Sequence, residues 1–329
     1  MAAVFRIDAQ PNGDGSRCES GILSLHDFAL ADGSALAVAE LAWQDWGRFD
    51  APVVVVLGGI SAGRNIGAWW KEQCGEARAL DPHARRLISV DWIGGADRSS
   101  GPREGEAFAA IDSRDQARAI LALLNHLGIA QVAAVVGASY GGCVGQHLAV
   151  LLGSRLRRLV VIGAAHRASP WALALRTLQR AGIEAAIGAQ ARREALKRAR
   201  QIAVLGYRTP CELEARFGVR EAGADVLGWL DAHGERFALR FVAESFLCLS
   251  ASLDAHDCAP ESILARTTVI AIAEDLIVPP ALAREFARRL GARGELVTIT
   301  SRYGHDAFLK EADAVAAALT ASLQTEVSA

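Results

Sequence analysis

A mostly parallel sheet with helices on both faces, interrupted by one all-helical insertion, is the architecture this sequence predicts. Three observations carry it. Short β-type runs alternate with helical segments along most of the chain. Several of those runs are apolar throughout, as strands buried on both faces are. The stretch 166–258 breaks the rhythm: it reads as helical, carries a basic segment at 191–200, and contains no convincing strand.

Taken in order, residues near 20–45 alternate and read as an antiparallel edge hairpin with Gly33 in its turn. Val53–Leu57 is an unbroken apolar run ending in Gly58-Gly59, as expected of a central strand. Leu87–Asp91, Val132–Val136 and Leu159–Ile162 repeat the pattern, and Val269–Ala273 and Glu295–Ile299 add two more strands. Within Asp112–Leu127 the apolar residues Ala117, Ile120, Leu121, Leu124 and Leu127 fall at helical spacing. Residues after about Ala321 are small and polar and are expected to fray. The division expected is a core part at 1–165, a helical cap at 166–258 over the strand ends, and a second core part at 259–329.

Composition narrows the function classes. Of 329 residues, 51% are hydrophobic and 22% charged, the balance of a globular protein able to bury a large core. A formal net charge of −2 gives no field to recruit nucleic acid or an anionic membrane. No apolar run reaches spanning length, and the first residues lack a secretory pattern, so the expectation is a soluble cytoplasmic protein. The six cysteines are scattered without a C-x-x-C pair, which argues for free thiols and against zinc or a disulfide framework.

The chemistry is carried first by Gly137-Ala138-Ser139-Tyr140-Gly141. A bare G-x-S-x-G is weak, but here it follows an apolar strand directly and opens a helical run, the context of a nucleophile elbow. A serine hydroxyl needs a base to remove its proton, and that base needs a carboxylate to orient it. Chain order in folds with such an elbow is serine, acid, histidine. Asp275 follows the strand ending at Ala273, and His305 follows the strand ending at Ile299, so both stand where that order requires them. Glu274 is the rival acid, one residue away. The oxyanion needs backbone N–H donors, expected from Tyr140 after the nucleophile and from Gly58 after the first central strand. The elbow and the order of the triad together predict the α/β-hydrolase fold.

Further segments resemble one family of that fold, the homoserine O-acyltransferases, from about Ala42 to Glu311. Trp46-Gly47 is similar to its early T-W-G, Ile66-Gly67-Ala68-Trp69-Trp70 to its G-W-W segment, and Gly94–Pro102 to its G-G-C-x-G-S-T-G-P loop. Ala199-Arg200-Gln201-Ile202 with Gly206-Tyr207-Arg208-Thr209 resembles its cap motif, and Leu253-Asp254-Ala255-His256-Asp257 its L-D-x-H-D segment. Tyr303–Leu309 matches its terminal Y-G-H-D-x-F-L. Tyr140 stands where the family's elbow usually has Met, Gly-Gly-Ile replaces a common L-T-G, and the segment after Pro102 is short.

The resemblance implies a ping-pong reaction in methionine biosynthesis. An acyl group would pass from acyl-CoA, a co-substrate and not a bound cofactor, to Ser139 and then to the homoserine hydroxyl. It further implies that Arg200 holds the acceptor carboxylate, Asp306 its ammonium and Tyr207 the wall of the site. A zwitterion is oriented by one fixed cation and one fixed anion, so the physics agrees. The pattern is closer to shorter, succinyl-transferring members than to acetyl-transferring ones, and Arg64 is a candidate partner for a succinyl carboxylate. A homodimer, with no nucleic acid, membrane or metal, is also implied. Serine as acceptor, a plain esterase and a binding protein on an inactive scaffold are the alternatives.

Overall fold

The computed structural model describes residues 4–11, 17–218 and 225–324. Within them nine strands form one sheet: β1 (Val4–Pro11), β2 (Arg17–Ala29), β3 (Ala35–Gly47), β4 (Val53–Leu57), β5 (Arg86–Val90), β6 (Val132–Ala138), β7 (Leu156–Ile162), β8 (Arg266–Ile272) and β9 (Gly294–Ile299). Their spatial order is β1-β2-β3-β5-β4-β6-β7-β8-β9. The first three strands and the β3–β5 pair are antiparallel; from β5 to β9 every pair is parallel. This is the α/β-hydrolase architecture. The expected hairpin is β2–β3, with Gly33 in its turn at φ +90°, and β1 adds an edge strand that the sequence pattern had not suggested.

The parallel strands β4 to β8 are interior to the sheet because most of their residues are apolar and buried on both faces, whereas β9, the parallel edge strand, is half exposed. Val54, Val55, Val56 and Leu57 are at most 1% exposed, and successive ones face opposite sides. Val55 and Leu57 join the cluster holding Ile88, Ile120 and Val144, whereas Val54 and Val56 join Ile66, Trp70 and Leu319. Each such side chain contributes about 1.5–3 kcal/mol relative to exposure.

Helices fill the crossovers. A short α1 (Ile66–Trp69) follows β4, and α2 (Ser113–His126) precedes β6. The start of α2 is set by Asp112, which accepts from the Arg114 and Asp115 N–H groups while Asp115 accepts from the Asp112 N–H, a reciprocal cap. Its predicted apolar face is the packed one, with Ala117, Ile120 and Leu124 fully buried. Helix α3 (Tyr140–Leu152) follows β6 at once and is buried over most of its length.

Between β7 and β8 come α4 (Pro170–Glu184), α5 (Ala189–Tyr207), α6 (Pro210–Phe217), α7 (Val226–Ala238) and α8 (Ala243–Asp254). Ser169-Pro170 and Thr209-Pro210 start α4 and α6 in the same way: the hydroxyl accepts a backbone N–H, and proline takes the first helical position. Helix α5 packs against α4 and α7, and α4 packs against α8. Entry and exit of this block meet in an isolated antiparallel bridge between Arg167 and Asp257, beside a Cys258 N–H bond to the His166 carbonyl at 2.9 Å. After β8 the chain runs through α9 (Pro280–Arg289), β9, α10 (Ala307–Lys310) and α11 (Ala312–Gln324). Ala321–Gln324, expected to fray, close α11; residues 325–329, covered by the same expectation, lie outside the described residues. Among the described residues no helix is long and apolar enough to cross a membrane.

The strand order positions the site. From β4 the chain moves to β5 on one side and then returns past it to β6 on the other. Such a reversal opens a crevice at the carboxyl ends of the strands. Gly58, Ser139, Asp275 and His305 all lie just beyond carboxyl ends, of β4, β6, β8 and β9 respectively.

Candidate active site

Ser139 occupies a turn that only its neighbours' lack of side chains permits. Its backbone is left-handed, φ +52° and ψ −119°, which for a residue with a Cβ costs about 1–3 kcal/mol. A Cβ on Gly137 would lie 2.3 Å from the Gly141 carbonyl oxygen, and one on Gly141 would lie 2.2 Å from that of Leu57. With both glycines present, the Gly141 N–H donates to the Gly58 carbonyl at 2.8 Å and the Ser139 N–H to the Ile162 carbonyl at 2.8 Å. These bonds hold the strained conformation. The start of α3 lies beneath the hydroxyl and favours negative charge there.

The Ser139 hydroxyl lies 3.0 Å from His305 Nε2, and His305 Nδ1 lies 2.7 Å from Asp275 Oδ2. The second Asp275 oxygen accepts the N–H groups of Ile277 and Val278, at 2.8 and 2.9 Å, which fixes the carboxylate's direction. With Nδ1 donating to the carboxylate, Nε2 is left with its lone pair toward the serine proton. Glu274 instead accepts the Ser301 N–H at 2.7 Å, so the one-residue ambiguity resolves in favour of Asp275 beside the imidazole. Burial pushes the His305 pKa down, but the charge and hydrogen bond of Asp275 outweigh it and hold the imidazole above its ordinary range. Gly304, at φ +56°, lets the loop bring His305 in; a Cβ there would meet the Tyr207 carbonyl at 2.6 Å.

Ser139 and His305 open into a pocket under the cap, lined among others by Ile60, Arg176, Tyr207, Ser250, Leu253 and Ile277. Cys143 also reaches it, but burial pushes its thiol up to about 12, so it stays protonated and offers no rival nucleophile. Tyr140 is the first residue of α3, so its N–H has no partner within the helix. Its side chain is fully buried, with the hydroxyl 2.7 Å from Ser252 Oγ and the ring edge-on to Trp92. The Gly58 carbonyl is turned toward Gly141, and in the 58–60 loop it is Ile60 that faces the pocket.

Tyr207 stands beside the imidazole with ring centres 5.5 Å apart. The Arg200 guanidinium is 5.8 Å from the Tyr207 ring and 5.0 Å from that of Phe237, does not itself line the pocket, and has no carboxylate partner among the described residues. Asp306 is held by Arg208 Nε at 2.8 Å. Arg208 is itself buried and paired with Glu212 at 3.3 Å. Arg208 belongs to the cap segment quoted above, yet its role was not legible there. Arg176 is a second omission, and one arginine in an amphipathic helix gives no signal of its own.

Arg64 requires a correction. Its guanidinium is tied to the carboxylate of Asp91, which also accepts the backbone N–H groups of Arg64 and Arg98. It therefore braces the loop after β4 and does not line the pocket.

A family model described as alpha/beta hydrolase fold matches residues 52–185. A homoserine O-succinyltransferase of Xanthomonas campestris pv. campestris is 41% identical over 303 residues, covering 87% of this chain and 79% of that protein. A homoserine O-acetyltransferase of Thermus thermophilus is 37% identical, covering 78% and 72% respectively. Among solved structures, a homoserine O-acetyltransferase from Bacillus anthracis superposes with TM-score 0.84 at 16% identity, over 95% of this chain and 99% of that one. The acetyl esterase MekB superposes with TM-score 0.81 at 18% identity, over 92% and 96%. At such identities the two superpositions speak to fold alone.

Proposed function

The chain belongs to the homoserine O-acyltransferase family of the α/β-hydrolase fold, and from that premise we propose that it transfers a succinyl group from succinyl-CoA to the homoserine hydroxyl through an acyl-serine. The observation that carries the chemistry is the hydrogen-bonded chain from Ser139 through His305 to Asp275 at the floor of the capped pocket. His305 Nε2 takes the serine proton as Oγ attacks the thioester carbonyl. The oxyanion is met by the Tyr140 N–H and an N–H of the 58–60 loop. The tetrahedral intermediate expels the CoA sulfur, which receives the proton from Nε2. Homoserine then gives its hydroxyl proton to the same nitrogen and attacks the ester, and the collapse returns the proton to Ser139.

Arg200, over the Tyr207 ring, supplies the cation for the homoserine carboxylate, and Asp306, with one oxygen on Arg208, keeps the other for the ammonium. Succinyl as the donor group is supported by the 41% identity to a succinyltransferase and by an arginine, Arg176, on the pocket wall. An acyl group with a distal carboxylate needs a cation within the pocket; an acetyl group does not.

The test is steady-state kinetics with succinyl-CoA and acetyl-CoA against homoserine and serine, together with intact mass after mixing with acyl-CoA alone. Succinyl-CoA and homoserine should give the highest kcat/KM, and wild type, but not Ser139→Ala, should gain the acyl mass. Rapid CoA release without an acceptor would instead identify a hydrolase. A preference for serine would move the acceptor by one methylene, which is worth only about 1–3 kcal/mol of discrimination.

A further inference from the structure

We propose that Arg180, which does not line the catalytic pocket, sets the donor specificity by neutralising Asp254 so that Arg176 keeps a full positive charge for the acyl group's distal carboxylate. The inference rests on the reading of the reaction as succinyl transfer. Arg176 and Arg180 are one turn apart on α4; Ser250 and Asp254 are one turn apart on the facing helix α8. Arg176 meets Asp254 Oδ1 through Nε and Nη2, both at 2.6 Å, using one edge of its guanidinium. Arg180 Nη1 lies 2.6 Å from the other oxygen, Oδ2, and donates to Ser250 Oγ at 2.9 Å.

The three charged side chains are only 12%, 16% and 10% exposed for Arg176, Arg180 and Asp254. At such burial water screens little, and their net charge governs what the pocket attracts. Arg176 with Asp254 alone would be a neutral pair, with nothing left for a carboxylate. Two arginines on one carboxylate leave a surplus of one positive charge. Only Arg176 of the two faces Ser139 and His305; Arg180 lines a separate groove behind α8. That groove is lined by six acids against Arg114, Arg180 and Arg192, whereas the described lining of the catalytic pocket has Arg167 and Arg176 and no acid, so the surplus is presented on the catalytic side. Arg176 lines the same pocket as Ser139, Tyr207 and His305, so its charge faces the space an acyl group on Ser139 would occupy.

Asp254 is thus a positioning residue with a cost: it fixes the Arg176 edge and competes for its charge. Arg180 removes the competition. The L-D-x-H-D segment acquires a purpose for its first acid, while Leu253 lines the pocket.

The experiment is the ratio of kcat/KM for succinyl-CoA over acetyl-CoA in wild type, Arg180→Gln, Arg180→Lys and the double variant Arg180→Gln with Asp254→Asn. Arg180→Gln keeps a side chain able to bond Ser250 but loses the charge, and the ratio should fall roughly tenfold, mostly through the succinyl-CoA KM. Arg180→Lys should hold the ratio within about threefold of wild type. The double variant removes one cation and one anion, leaves Arg176 with its surplus, and should recover most of the loss. An unchanged ratio in Arg180→Gln, or a double variant worse than the single one, overturns the proposal. A wild type that does not prefer succinyl-CoA overturns the donor reading first, and is told apart because it appears before any substitution is made.

Discussion

Asp275 divides its two oxygens between different tasks: one accepts the N–H groups of Ile277 and Val278, and the other faces His305 Nδ1. The orientation of the base therefore depends on one side chain, which also supplies the larger part of what raises its pKa, with Asp306 adding a smaller part. His305 must be neutral to accept the serine proton, so activity should fall as pH drops through a pKa above the ordinary 6.5. Asp275→Asn removes the charge and the hydrogen bond that raise it and leaves burial, which lowers it. The acid limb of the kcat/KM profile should then move to lower pH, while turnover falls on the order of 10³- to 10⁴-fold. An acid limb that stays in place would show that Asp275 does not set the histidine's titration. At this scale the sequence was legible where a motif fixes both chain order and strand end, as for Ser139, Asp275 and His305. It was silent on Arg176, whose meaning depends on α8 packing against α4, and misleading on Arg64, whose partner Asp91 comes from the far end of β5.

The elbow and the cap show the same contrast between elements. Strands buried on both faces announce themselves, so β4 to β8 were readable to within a few residues, and the half-exposed edge strand β9 was readable as a short β-type run. The hairpin was also readable from its alternation, but β1 was not, since an edge strand takes its place from its neighbour as much as from its own pattern. Helix α5 was visible as a basic helix, yet of its charges Arg192, Arg193 and Lys197 pair with acids whereas Arg200 lies over two aromatic rings. That difference supports a role in substrate binding for Arg200. Arg200→Ala should leave the burst of CoA equal to enzyme intact, because the donor half-reaction involves no acceptor carboxylate. It should raise the homoserine KM by roughly 30-fold or more, the loss of a charge-assisted contact of about 2–4 kcal/mol. Homoserine amide separates the causes: wild type should discriminate strongly against it and the variant should not. Equal use of homoserine and its amide by wild type would remove Arg200 from the acceptor site.

On the scale of the whole molecule, the sheet, α2, α3 and the exit from the cap converge on two buried histidines. His256 lies between Ser113 Oγ at 3.0 Å and the Ala165 carbonyl at 3.2 Å, and its ring meets that of His147 edge-on, with centres 5.1 Å apart. Burial pushes His147 down to about 4 and His256 to about 3. Both are neutral in the folded protein, whereas the unfolded chain takes up their protons below about 6.5. Their stabilisation is complete above that value and is lost as pH falls toward 4, at up to roughly 2–3 kcal/mol per pH unit. Urea midpoints measured from pH 7 to 4.5 should follow that slope, and His256→Gln should flatten it by about one proton. A slope unchanged in this variant would place the acid sensitivity elsewhere. The Arg167–Asp257 bridge, where the chain enters and leaves the cap side by side, has a consequence for how such enzymes diversify. The chain between those two residues leaves and rejoins the core side by side, so the block can lengthen, shorten or be exchanged without re-threading a strand, provided it keeps contacts such as Arg208 on Asp306 and Ser252 on Tyr140. The nucleophile, acid and base all lie outside that block, and Arg176, Arg200 and Asp254 lie inside it. New substrates can thus be acquired by changes confined to that block, on a catalytic frame whose reacting residues it does not contain.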